Sequence, residues 1–138
     1  MSDSSVQSDP SVSTVRLEEG GPEGFVVSVP GTEYMLRLHL KGSAHAAVGK
    51  RIRGVISGTA QKFHRASAGG EFIEPVEGHP RIVQGRVRAT DLGANRVLVQ
   101  AVVPMWVTPA AGQSARDFHA GDFVNFYMES GVSFAPVA

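Results

Sequence analysis

Cysteine is absent from the chain. That excludes a disulfide framework, a thiolate metal site and a cysteine nucleophile, and it fits a cytosolic life. Long apolar runs are missing as well. No stretch approaches the ~20 apolar residues that a membrane-spanning helix needs. The opening Met1-Ser2-Asp3-Ser4-Ser5 has neither the positive region nor the apolar region of a signal peptide. These absences lead us to expect a cytoplasmic protein with no membrane partner.

Helical periodicity is nearly absent too; Ser114 to His119, followed by Gly121, is the one short helical turn expected. No serine sits in Gly-x-Ser-x-Gly, and no glycine cluster spells a P-loop or a dinucleotide fingerprint. The five histidines, His39, His45, His64, His79 and His119, show no i, i+2 or HxxxH pairing. Neither a metal nor a cofactor is therefore expected. The carboxylates form no catalytic pair. Asp117 and Asp122 flank His119, but a short helix and a turn into the next strand account for both. Nothing in the sequence points to catalysis, and an enzyme is the last of the functions we consider.

What is present is β-rich. From about Phe25 onward, short apolar runs alternate with turn residues. Residues 1–23 read as a disordered acidic tail, polar and aperiodic up to about Thr14 and hinge-like from Glu18 to Gly24. Residues 24–138 read as one domain. Within it, Tyr34, Leu36, Leu38 and Leu40 fall on one face of a strand, and Met35, Arg37, His39 and Lys41 on the other. Arg51 to Phe63 is long and carries Gly54 and Gly58, as a strand that bends to serve both halves of a sheet would. Arg81 to Thr90 alternates. Arg96 to Val103 is apolar on both faces, and Met105 to Thr108 would continue it past a bulge at Pro104. Phe123–Met128 and Val132–Ala135 form the last hairpin.

The expected fold is all-β: a small closed or partly open antiparallel barrel of six to seven strands. Phe118-His119-Ala120-Gly121-Asp122-Phe123-Val124, a short turn leading through Gly-Asp into an apolar strand, resembles a feature common in OB-like and SH3-like barrels. That likeness is architectural and points to no family.

Charge is where function begins to show. Net charge is zero, yet it is unevenly spread. Met1–Glu33 holds six acids and one base (−5), Tyr34–Arg96 eleven bases and four acids (+7), and Val97–Ala138 three acids and one base (−2). On three expected strands the bases share a polar face: Arg37, His39 and Lys41; Arg51 and Arg53; Arg86 and Arg88. Gln61-Lys62-Phe63-His64-Arg65 interleaves bases with an aromatic that could stack on a nucleobase. The candidate ligand-binding set is therefore Arg37, His39, Lys41, Arg51, Arg53, Lys62, Phe63, Arg86 and Arg88. Arg and Lys also cover the outer side of many sheets that bind nothing. Like charges on neighbouring strands repel, however, which favours a use for them. We expect a non-enzymatic binding module for single-stranded nucleic acid or another polyanion. The alternative is a protein-interaction or assembly domain, self-associating or binding a partner through an exposed strand edge or aromatic patch. Trp106 reads as a core or rim aromatic, and Phe123, Phe126 and Tyr127 cover both faces of their strand.

Overall fold

A computed structural model describes residues 9–21 and 24–137. Among the described residues the chain is all-β, with eleven strands in one mixed sheet and a single 3₁₀ turn. In order the strands are β1 (Val12–Gly21), β2 (Gly24–Ser28), β3 (Met35–Leu40), β4 (Arg51–Arg65), β5 (Phe72–Glu74) and β6 (Glu77–Gly78). They continue with β7 (Ile82–Asp91), β8 (Arg96–Ala101), β9 (Val103–Thr108), β10 (Phe123–Met128) and β11 (Ser133–Pro136). The 3₁₀ turn, Ala115–Asp117, falls where the sequence placed its only helical turn. Ser114 caps it, accepting from the Arg116 N–H, and its own N–H donates to Asp117. No helix among the described residues is long and apolar enough to cross a membrane.

β4 organises the sheet. Its first half pairs with β1 on one edge, Val12↔Val55 through Arg16↔Arg51, and with β11 on the other, Ser133↔Ser57 through Pro136↔Gly54. Its second half pairs with β9 on the first edge and β10 on the second. From β1 the pairing runs through β2, β3 and β11 back to β4. From β9 it runs through β8, β7 and β10 back to β4. The expectation that the Gly-bearing strand serves two halves of the sheet matches this pairing. Gly54 is a contact requirement as much as a bend: a Cβ there would sit 2.3 Å from the Phe134 ring and 2.8 Å from the Ala135 carbonyl oxygen.

The interior is one continuous apolar cluster along this length. Alternation supplies it: Val15 and Leu17 from β1, Phe25 and Val27 from β2, Leu36 and Leu38 from β3, all buried. Val83 and Val87 of β7, Val97 and Val99 of β8, Met105 and Val107 of β9 and Phe126 of β10 fill the other end.

Four sequence expectations are corrected, the first being the last hairpin: β10 and β11 each pair with β4 and not with each other. The strand count is eleven, not six to seven, and the sheet is mixed rather than antiparallel, with β3–β11, β3–β6 and β4–β9 parallel. The region assigned to a disordered tail carries β1: Ser11, Ser13, Val15 and Leu17 are buried, and β1 is hydrogen-bonded to both β2 and β4. Residues 1–8, 22 and 23 of that expected tail lie outside the described residues. Finally, Arg96–Thr108 is not one strand past a bulge. The chain reverses at Val102, which holds φ +65°, so that Ala101 faces Val103 and β8 and β9 run antiparallel. A β-branched residue at positive φ is rare, and Val-Val-Pro carries no turn signal that a sequence reading could use.

Candidate anion-binding surface

Because side chains alternate, burying Ile52, Gly54 and Ile56 drives Arg51 and Arg53 outward from β4. On β1, burial of Val15 and Leu17 does the same to Arg16. Arg16 and Arg51 are directly opposite in the ladder, and Arg53 lies opposite Thr14 two residues along. All three arginines are exposed. Lys50 is exposed at the start of β4, its carbonyl accepting from the Leu17 N–H. Lys41 is exposed just past β3, and its N–H donates to the Phe134 carbonyl of β11, next to the end of the strand that flanks Arg53. Arg16, Arg51 and Arg53 thus share the outer face of the β1/β4 pair, and Lys50 and Lys41 are exposed at strand ends in the same half of the sheet.

Carboxylates are scarce there. Glu18 lies 3.6 Å from Arg16 and accepts from the Ser28 hydroxyl at 2.6 Å. Among the described residues, neither Arg51 nor Arg53 has a carboxylate within ion-pairing distance; the pairs present are Arg16–Glu18, Arg65–Asp122 and Arg96–Asp91. Two clefts flank these bases. One, of about 480 Å³, takes Arg51, Arg53 and His45 in its wall, with Pro136 and Val137 opposite. The other, of about 420 Å³, lies between Arg16, Arg51 and the Pro30–Thr32 turn.

Arg37 and His39 sit on the outer side of β3, with Arg37 half-buried and His39 exposed. They line a third cleft, and Ser43 borders both this cleft and the one holding Arg51 and Arg53. Arg37, His39, Arg51 and Arg53 therefore form one group along two clefts that meet at Ser43; Lys41 lines neither cleft.

The remaining candidates do not join it. Lys62 is exposed on the second half of β4, paired with Tyr127. It is nine residues from Arg53, roughly 30 Å along an extended strand. Arg86 and Arg88 are exposed on β7 but are engaged with their own surface. Arg86 lies 4.8 Å over the Phe123 ring and donates to the Gly121 carbonyl; Arg88 donates to Gln100 Oε1. The expected single basic face is thus two groups, one at each end of the sheet.

Phe63 needs correction outright. It is buried at 4% exposure, 4.7 Å from the Phe118 ring and 4.5 Å from the Phe126 ring, centroid to centroid. No nucleobase can stack on it. The cause is a shift of register in β4. Tyr127 faces Lys62 but Met128 faces Ala60, leaving Gln61 as an extra residue. That residue flips the parity of the strand, so Ala60 and Phe63 both point inward while Lys62 and His64 point out.

Arg16, Lys50, His45 and His79 were not singled out from the sequence. For Arg16 the signal existed, since Val15 and Leu17 flank it, but Ser, Glu and Gly on both sides masked the strand. The Asp117 and Asp122 carboxylates accept from the backbone N–H groups of Ser114 and His119, respectively. Asp122 accepts from the His119 backbone N–H at 2.9 Å and pairs with Arg65 at 3.2 Å. The His119 hydrogen bond, with Arg65 beside it, holds the Asp122 carboxyl below the usual carboxylate range despite partial burial. Trp106 is half-buried on the outer side of β9, with the Arg96 guanidinium 4.3 Å over its ring. Compared with known proteins, the chain matches no family model, no curated protein and no solved structure.

Proposed function

We propose that the chain is a non-enzymatic binding module, two short barrels sharing β4, that holds a polyanion on the Arg16/Arg51/Arg53 face. One observation carries the reading. Two exposed arginines stand directly opposite each other on neighbouring strands, a third follows, and Glu18 is the one carboxylate paired among them. Like charges in facing positions destabilise a sheet; an anion laid across them removes that repulsion. With Phe63 in the core, no aromatic of this face supports base stacking. Contact would run through phosphates, which position a strand without reading its sequence. Single-stranded nucleic acid is the polyanion we nominate. Fluorescence anisotropy with labelled oligo-dT and oligo-U of equal length tests this. Both should bind about equally, and the double variant R51E/R53E should lose binding to each. Binding by that variant equal to the parent's would overturn the proposal.

A second reading rests on a different surface. Pro75, Val76, Ile82 and Tyr127 line an apolar cleft of about 600 Å³ flanked by Glu74 and Arg81, and Val76 and Tyr127 are 48% and 53% exposed. Exposed apolar side chains gathered in one place are typical of protein contacts. If this is a self-association surface, sedimentation should show a concentration-dependent dimer that Tyr127→Ser abolishes. A monomer at all concentrations would remove that reading.

A further inference from the structure

β3 and β6 run parallel, with Met35 opposite Glu77 and Leu36 opposite Gly78. The chain leaving β6 therefore brings His79 beside His39. Their rings lie 6.0 Å apart between centroids, tilted by 32°. Arg37, one alternation earlier on β3, shares with them a cleft of about 740 Å³. Its far walls are Gly20, Gly21 and Gly24, which leave the backbone uncovered, and the Gly42–Ala44 loop. A Cβ at Gly24 would meet Arg37 Nη1 at 2.8 Å and Glu19 Oε1 at 3.3 Å. The absence of a side chain at Gly24 is what lets the guanidinium lie against the wall, and Glu19 is the carboxylate that reaches the same spot.

Three nitrogen-bearing groups, a guanidinium and two imidazoles, thus share one concavity, with Glu19 the described carboxylate that reaches its Gly24 wall. Two imidazoles at this separation invite comparison with a metal site. The rest of the surroundings oppose one: no described cluster offers a third ligand, and Arg37 would repel a dication. The same groups suit an anion carrying more than one charge. A phosphate monoester bears −1.5 to −2 charges and three acceptor oxygens near neutral pH. A guanidinium binds such oxygens in its planar fork. The volume of the cleft is in the range of small-ligand sites.

We propose that the Arg37/His39/His79 cleft binds a phosphate monoester, supplied either by a free ligand of mononucleotide size or by the phosphorylated end of a nucleic-acid strand. Only the second source rests on the polyanion reading. Calorimetry with AMP and anisotropy with 5′-phosphorylated and 5′-hydroxyl oligo-dT separate the two. For the wild type, AMP should bind, and the 5′-phosphate should tighten oligo-dT binding about fivefold or more. The variant H39Q/H79Q, altered at two exposed positions, should lose both effects. Arg37→Gln should do the same, and Glu19→Gln should strengthen AMP binding. AMP binding without an end effect supports the cleft and assigns it to free esters. If 5′-hydroxyl oligo-dT does not bind at all, the polyanion reading fails and AMP alone decides the cleft. Absence of AMP binding together with equal affinity for both oligonucleotide ends would overturn the proposal. So would full retention of both effects in H39Q/H79Q, or zinc binding that requires both histidines.

Discussion

Gly85 offers a sharp test of how β7 and β8 pack. It points inward between Val83 and Val87, and it is buried. A Cβ there would lie 2.2 Å from the Gln100 carbonyl oxygen and 2.7 Å from the Ala101 Cβ. An ordinary carbon–oxygen contact is about 3.3 Å or more, so Gly85→Ala must push β8 away by about 1 Å. A ladder bond of about 2.9 Å does not survive such a shift in good geometry. Arg86 faces Gln100 in that ladder, so the displacement falls on the pair next to the substitution. Overpacking of this kind costs about 1–3 kcal/mol, and each weakened backbone bond adds about 1 kcal/mol. The unfolded-chain entropy that alanine removes returns only ~0.4–1 kcal/mol. We expect a net loss of about 3 kcal/mol, or about 10 °C in melting temperature for a 138-residue chain. Urea unfolding followed through Trp106, the only tryptophan, reads it directly. Gly70 is the control, because a Cβ there meets nothing within 4 Å. Gly70→Ala should stay within about 0.5 kcal/mol of the parent. If Gly85→Ala unfolded with the parent's midpoint, the β7–β8 packing described here would be wrong.

Other outcomes follow from the same structure. Leu36→Ala should cost ~2–5 kcal/mol in urea unfolding, because the side chain is fully buried. Leu17→Ala should cost a similar ~2–5 kcal/mol; a parent-like curve would show that β1 is not an integral strand. Asp122, whose carboxyl titrates lower in the folded chain, stabilises the fold above the unfolded carboxyl value, and this is lost as pH falls through the folded one. The stability gap between the parent and Asp122→Asn should therefore be present at pH 6 and close towards pH 3, as read by unfolding midpoints at each pH.

Much of the fold is legible where one local rule acts alone. Leu36, Leu38, Arg37 and His39 separate by simple alternation, and the structure keeps that separation. Gly54 and Gly58 mark the strand that both halves share. Legibility fails where a distant partner decides. Val15 and Leu17 are too few to announce a strand among Ser, Glu and Gly; β2 and β4 make it one. The Gln61 bulge reverses the parity of β4, and this alone turned Phe63 from an expected stacking surface into core. Val102 turns the chain at positive φ without a turn residue. His39 and His79 stand forty residues apart, and only the β3–β6 pairing brings their rings together. Alternation sets the candidate bases on outer faces, with Arg37 half-buried, but strand order, invisible in the sequence, divides them between two ends.

The central claim is that phosphates lie across Arg16, Arg51 and Arg53. Its most direct measurement is the salt dependence of oligo-dT affinity, for the parent and for Arg51→Ala and Arg53→Ala singly and together. Single-stranded binding through Z phosphate contacts gives a slope of log K against log salt of about −0.7Z. Three contacts predict about −2.1, which is roughly a twentyfold loss of affinity between 50 and 200 mM salt. Each single variant should make the slope shallower by about 0.7, and the double variant by about 1.4. No binding by the parent at about 50 mM salt, or one slope shared by the parent and the double variant, would contradict the account.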